Sequence, residues 1–316
     1  MTTTATVATA TLIAAQCRQL HLPSVGARWQ SMEKEAVRGR LSHSAYLAGL
    51  LEQELEDRAQ RRAQRRIAEA RFPTVKRLSD FKFAQAPVIP ATLIAQLAEG
   101  SYIDRAENVL LVGDSGTGKT ALAIGLGVAA CEQGRSVRFT TVAALVNDLL
   151  EAQDERMLSR AVGRWGRVDL LIADELGYVS LPPSGAELLF QVLAQRSETR
   201  SVAITSNLPF SEWTTVFSDP RLCKAVIERL TYRSHIVETG TESYRFKRSL
   251  ARLKNLKSAT PAETLATEKA VEAQNEGNPV SDTSDSGLKD ATLSGPTTSE
   301  VSSPETSTTA LAGGAS

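Results

Sequence analysis

Gly113-Asp114-Ser115-Gly116-Thr117-Gly118-Lys119-Thr120 is a complete G-x-x-x-x-G-K-[ST] phosphate-binding loop, and its flanks decide the fold. Before it, Asn108-Val109-Leu110-Leu111-Val112 is a short apolar run of β type. After it, residues 121–130 are rich in Ala, Leu and Ile and helical in character. Strand, loop and helix in that order leave little room for a coincidental Gly-rich turn. The glycines let successive backbone N–H groups turn inward toward a β-phosphate, and the following helix adds the positive end of its dipole. Lys119 is then placed to reach the β- and γ-phosphates, and the Thr120 hydroxyl to ligate Mg²⁺. The loop is expected to grip a nucleoside triphosphate.

Downstream, strand-like segments at 136–140, 170–173, 201–205 and 235–239 alternate with helical ones near 143–153, 184–197 and 220–230. Strands separated by helix-length connections predict a parallel sheet covered by helices on both faces. Val168-Asp169-Leu170-Leu171-Ile172-Ala173-Asp174-Glu175 is an apolar strand ending in two acids, placed after a phosphate loop as the second element such a fold requires. Asp174 is expected to hold the Mg²⁺ shell and Glu175 to polarise the attacking water. The next strand runs into Thr205-Ser206-Asn207, where Asn207 is the candidate to sense the γ-phosphate or the lytic water. Its alternative is to cap the loop before Pro209. Arg229 ends a helix opened by Asp219-Pro220. It can reach a neighbouring subunit's site and neutralise the transferring phosphoryl group, or pair on its own helix surface; Arg233 and Arg196 are further candidates. Asp174-Glu175-Leu176-Gly177 fits a D-x-x-G pattern, but the chain has no N-K-x-D motif, so the base is adenine by elimination and the cofactors are ATP and Mg²⁺.

Upstream, residues 1–11 read as disordered and residues 12–77 as a small, basic, all-helical domain broken at Leu20-His21-Leu22-Pro23 and Arg40-Leu41-Ser42. Ser42 is an N-cap for a long helix whose apolar stripe runs through Leu47, Leu50, Leu51 and Leu55. Past Leu55 the helix turns basic, with Arg58, Arg61, Arg62, Arg65 and Arg66 on neighbouring turns and Glu69 the acid among them. Such a stripe can track the phosphates of double-stranded DNA. The competing reading is a solvated face paired with Glu52, Glu54, Glu56 and Asp57. Acids precede residue 58 and bases follow it, so few i,i+4 pairs are expected to neutralise the stripe. Pro73 ends the helix. Residues 78–90, with Phe81 and Phe83, read as an irregular linker packing onto an ATPase domain at 91–257.

The net charge of zero hides two opposite parts. Residues 258–316 carry nine acids, two bases and no aromatic, which leaves the rest of the chain with an excess of about seven positive charges. That tail is rich in Ser, Thr, Pro, Gly and Ala and reads as disordered, whereas the basic body points to nucleic acid. Cys17, Cys131 and Cys223 show no C-x-x-C or metal-ligand spacing, so reduced thiols in the cytoplasm are expected. The N-terminus lacks the cationic region of a signal peptide, and no apolar run approaches a membrane span.

Several elements together resemble IstB, the helper ATPase family of IstA/IstB-type insertion sequences. They are the run Glu107 to Gly113 into the loop, Asp174-Glu175-Leu176-Gly177-Tyr178, Thr205 to Trp213, and Glu242-Ser243-Tyr244-Arg245; Glu69-Ala70-Arg71-Phe72-Pro73 and Leu78-Ser79-Asp80-Phe81 add the family's junction. The resemblance covers roughly residues 12–257. It implies an AAA+ ATPase near the DnaC-type helicase loaders, a homo-oligomer with ATP between subunits, assembly on duplex DNA, and stimulation of an IstA-like transposase. It also implies that Arg229 is the arginine finger. Between Thr239 and Lys257 there is room only for a minimal lid, which leaves a sensor role for Arg245 open. A helicase loader and a passive DNA-binding scaffold are the alternatives.

Overall fold

A computed structural model describes residues 2–241 and Ser243, all within one compact unit, Met1–Lys257. The expectations for Arg245, the lid and the tail at 258–316 lie outside the described residues. Five strands, β1 (Asn108–Val112), β2 (Val137–Thr141), β3 (Leu170–Leu176), β4 (Ser201–Ser206) and β5 (Ser234–Glu238), form one parallel sheet in the order β2-β3-β4-β1-β5. Every neighbouring pair is parallel, so each connection must cross over one face, and the helices do so. This is the expected α/β architecture, a phosphate-binding loop at the end of a parallel strand in a sheet covered by helices on both faces.

The strands alternate between two cores. Val109, Leu111, Leu170, Ile172, Ala203 and Val237 face α6 (Lys119–Glu132) and the short helices α4 (Ala91–Ala98) and α5 (Ser101–Asp104). Leu110, Leu171, Ala173, Val202 and Ile204 face α7 (Val142–Asp154), α8 (Leu158–Arg167), α9 (Pro183–Arg196) and α10 (Pro220–Thr231). A strand buried on both sides is apolar on both faces through its middle, which is why Val109–Leu111, Leu170–Ala173 and Val202–Ile204 read as continuous hydrophobic stretches. Gly127 lets α6 lie this close to its neighbours, because a Cβ there would stand 2.7 Å from Ile172 Cδ1 and 2.9 Å from the Phe72 ring. Arg196 is fully buried below the sheet. Its guanidinium donates to the carbonyls of Trp165 at 2.7 Å and Ser201 at 2.6 Å, so it is a structural strut and cannot reach another subunit.

The N-terminal part is three helices, α1 (Thr2–Gln19), α2 (Pro23–Arg38) and α3 (His43–Ala70). The first differs from the expected disorder over 1–11: the segment is rich in Thr but free of Gly and Pro, so nothing in it breaks a helix that continues upstream of Leu12. As expected, Ser42 caps α3, its hydroxyl accepting from the Ala45 N–H at 3.2 Å. The helix closes with Arg71 in the left-handed region (φ 60°), and Arg138 of β2 donates to the freed Glu69 carbonyl at 3.0 Å. Ala70, Ile67 and Phe72 join the core around α6, so α3 is anchored to the core of the sheet.

Glu54 of α3 is almost fully buried, and its Oε2 accepts from the first-turn amides of α2, Ser24 at 2.8 Å and Val25 at 3.2 Å. Leu22 offers no side-chain cap there, so a residue thirty positions away supplies it. Burial alone would raise this carboxyl; the two amides, with Arg58 and Arg61, hold it below the ordinary glutamate value. Glu54→Ala is expected to destabilise the chain by about 2 kcal/mol or more, since charged hydrogen bonds of this kind contribute roughly 1.5–3 kcal/mol. Urea denaturation followed by circular dichroism measures it, and an unchanged midpoint would refute the cap. The three cysteines are buried free thiols; burial raises Cys131 to about 12 and moves Cys223 upward, which keeps both protonated and unreactive. No described helix is long and apolar enough to cross a membrane.

Candidate nucleotide site

The loop of residues 113–120 leaves β1 at the carboxyl edge of the sheet and opens directly into α6. Gly118 stands at φ 102°, where a side chain would be strained, and a Cβ would also meet the Phe81 ring at 2.9 Å. Lys119 Nζ donates to the Gly113 and Asp114 carbonyls at 2.6 and 2.8 Å, which holds the ammonium against the loop. Thr117 Oγ1 bonds the Asp114 carbonyl at 2.9 Å and Thr239 Oγ1 at 2.6 Å, tying the loop to the end of β5. Ser115 Oγ meets Tyr178 Oη at 2.9 Å.

Residues 115–120 and Tyr178 line a cavity of about 430 Å³ that also takes in Glu175, Thr205 and Asn207. The cavity thus unites the loop, Glu175 of the acidic pair and the end of β4. One wall was not anticipated: Lys76, Asp80, Phe81, Lys82 and Ala86, from the segment between α3 and α4, also line the cavity. The Phe83 ring packs against Phe81 with centroids 4.8 Å apart and planes inclined by 58°. The only sign of this in the sequence is a pair of aromatics among polar residues, which reads equally well as core packing.

Asp174 is buried, and its Oδ1 accepts from Thr120 Oγ1 at 3.1 Å and from Thr205 Oγ1 at 2.5 Å. Mg²⁺ binds through one or two carboxylates completed by phosphate and water oxygens, not through an all-protein cage. A hydroxyl and a carboxylate meeting at the mouth of a phosphate loop fit that ion, and among the described residues no cluster of three or more His, Cys, Asp or Glu competes for it. Glu175 is exposed to the cavity on a bulge of β3 and sits at φ 66°. Asn207 lines the same cavity, and its Oδ1 is buried with no hydrogen-bond partner among the described residues. Ser206, not Asn207, closes the following turn, its Oγ accepting from the Leu208 N–H at 3.1 Å. The capping alternative for Asn207 therefore falls away.

Residues 15–252 match the family described as IstB-like ATP binding protein. The chain belongs to this family. Among IstB-like relatives, a protein of Sinorhizobium fredii named for ATP binding in an insertion sequence is 37% identical over 72% of this chain and 76% of its own length. A similarly named protein of insertion sequence IS5376 from Geobacillus stearothermophilus is 37% identical over 73% of this chain and 92% of its own. Among solved structures, the DnaC helicase loader is similar at 19% identity and a TM-score of 0.42, covering 47% of this chain and 86% of that one. AMPPCP-bound DnaA from Aquifex aeolicus is similar at 18% identity and a TM-score of 0.45, covering 61% and 58%.

Two of the expected elements lie apart from the cavity. Arg229 is exposed near the end of α10, its guanidinium carbon 5.1 Å from the centre of the Phe190 ring, and it lines no part of its own chain's cavity. The basic stripe is more internally paired than its sequence suggested. Arg58 and Arg61 both contact the buried Glu54 at 3.3 Å, and Arg65 and Arg66 lie 3.8 and 3.5 Å from Glu69. Only two of these four pairs are i,i+4 steps, but the stripe is paired beyond that spacing: two acids each serve two arginines, and one acid is reached from a distance of seven residues. Arg62 stays exposed with no acidic partner among the described residues.

Proposed function

We propose that this protein is an ATP-hydrolysing AAA+ helper that assembles as a homo-oligomer on double-stranded DNA, with nucleotide between subunits, and stimulates an IstA-like transposase. The single observation that carries the reading is the cavity lined by Lys119, Thr120, Glu175 and Asn207, with the buried Asp174 carboxylate bonded to Thr120 behind its wall. A degenerate nucleotide site on a passive scaffold would have no reason to keep that set together. Membership of the IstB-like family, and relatives named for ATP binding in insertion sequences, support ATP as the nucleotide and transposition as the setting.

In this mechanism the loop N–H groups and the Lys119 ammonium grip the β- and γ-phosphates. Thr120 and Asp174 would hold Mg²⁺, which neutralises charge on the phosphate oxygens when bound. Glu175 orients a water for attack on the γ-phosphorus and takes its proton as the bond to the β–γ bridging oxygen breaks, giving ADP and phosphate. The Asn207 amide hydrogen-bonds the γ-phosphate or that water. Arg229 of the adjoining subunit neutralises charge on the phosphoryl group in flight, so hydrolysis is fast only in the assembly. ATP binding then favours the oligomer on DNA and hydrolysis releases it.

For the DNA interface, internal pairing divides the stripe. Arg58 and Arg61 serve the fold through Glu54, whereas Arg62, Arg65 and Arg66 lie on exposed or weakly paired ground, and surface pairs of this kind contribute only about 0–1 kcal/mol. They can exchange a carboxylate for a phosphate. Fluorescence anisotropy with unrelated duplexes is expected to show binding strengthened by ATP. Glutamine at 62 and 65 is expected to weaken all sequences alike and to flatten the salt dependence by about 0.9 for each phosphate no longer neutralised. Wild-type affinity and slope in that variant would return the helix to a solvated face, and binding indifferent to nucleotide would overturn the switch.

A further inference from the structure

We infer that Thr205 is a positioning residue for hydrolysis, a single hydroxyl that aims both acids of the nucleotide site. The inference rests on the roles proposed above for Asp174 and Glu175. In the ladder between β3 and β4, Ala173 pairs with Ile204 and Leu176 with Ser206, so Asp174 and Glu175 together face one residue, Thr205. Two residues against one is a bulge, and a bulge leaves a backbone group without its ladder partner and re-aims a side chain.

Here the Glu175 N–H donates to Thr205 Oγ1 at 2.9 Å, a side-chain oxygen standing in for a strand carbonyl. The same oxygen donates its own proton to Asp174 Oδ1 at 2.5 Å. One atom thus fixes the left-handed backbone of Glu175 at φ 66° and the carboxylate that Thr120 also contacts. Only a hydroxyl can accept and donate at once from a single atom. Thr205 is itself held by the sheet, being almost fully buried and paired with Leu111 of β1 as well as bonded toward β3. A movement of β4 is therefore carried to both acids through one oxygen, and Asn207 follows two residues later on the same segment.

Thr205→Val keeps the shape and removes both bonds, whereas Thr205→Ser keeps them. The valine variant is expected to lower kcat on the order of 100-fold, the scale of a small misplacement of reacting groups. Its affinity for a fluorescent ATP analogue without Mg²⁺ is expected to stay within about threefold of wild type, while the gain in affinity on adding Mg²⁺ shrinks. Serine is expected to restore both readouts to within about threefold. Wild-type turnover and wild-type Mg²⁺ gain in the valine variant would overturn the inference, as would a serine variant no better than valine. Should valine fail to fold by circular dichroism, Thr205→Ala compared with Thr205→Ser makes the same distinction. Glu175→Gln measured in parallel separates the two layers. If it hydrolyses like wild type, the role of Glu175 is wrong, and the Mg²⁺ gain still decides whether Thr205 aims Asp174.

Discussion

Glu175→Gln is expected to lower ATP turnover by about 10²- to 10⁴-fold, the range a positioned general base contributes, while nucleotide affinity stays at the wild-type level. The side chain stands on the exposed side of the β3 bulge and lines the cavity without being part of the phosphate loop. Glutamine has nearly the same size and can still hydrogen-bond a water, but it cannot take the water's proton. The bond between the backbone N–H of residue 175 and Thr205 does not involve the side chain, so the substitution leaves Asp174 and Thr120 where they are. Binding and chemistry therefore separate. In the proposed cycle the variant stays ATP-bound, and its complexes with duplex DNA become long-lived. Steady-state ATPase rates, equilibrium binding of a fluorescent ATP analogue and dissociation of labelled DNA measure the three consequences. Rapid turnover would remove Glu175 as the water activator.

The phosphate loop, the five strands and most of the helices that cover them were legible because their signals are local. Residues 108–120 carry strand, loop and helix start in one uninterrupted stretch, and the middles of β1, β3 and β4 are apolar at successive positions because both faces are buried there. The helix Leu158–Arg167 gave no such signal: its ten residues include two glycines and three arginines, and it buries only Ala161 and Trp165. The arginine pairing was half legible. Glu54 to Arg58 is an ordinary i,i+4 step, but nothing local says that Glu54 is buried against the start of another helix, which is what gives that pair its weight. Thr205 and Phe81 were missed as parts of the site for a related reason. Each acts on residues far away in the chain, so its role exists only once the sheet has brought β3 beside β4 and the segment at 78–90 has folded over the loop.

Arg229→Ala is expected to lower ATP hydrolysis under assembling conditions by about 10³-fold or more, the scale measured for arginine fingers elsewhere. The residue is built to reach outward. Asp219 caps the start of its helix by accepting from the Arg221 N–H at 2.8 Å. Asn108 of β1 secures the other end, donating to the Leu230 carbonyl at 3.1 Å and accepting from the Val202 N–H at 3.1 Å. The backbone of α10 is therefore rigid relative to the sheet, while the guanidinium stays exposed over the face of Phe190, an arrangement that orients a planar cation without neutralising it. A surface arginine that merely paired on its own helix would be replaceable at little loss, because such pairs contribute about 0–1 kcal/mol. A finger acting across subunits makes a stronger demand. Arg229→Ala keeps an intact phosphate loop, and Lys119→Ala keeps an intact arginine, so each is expected to be inactive alone. Mixed, they form interfaces that pair a working loop with a working arginine, and hydrolysis returns. Arg229→Lys is expected to remain impaired, since an ammonium lacks the planar fork of donors. Wild-type turnover by Arg229→Ala, or a mixture as inactive as its components, would place the missing cation elsewhere.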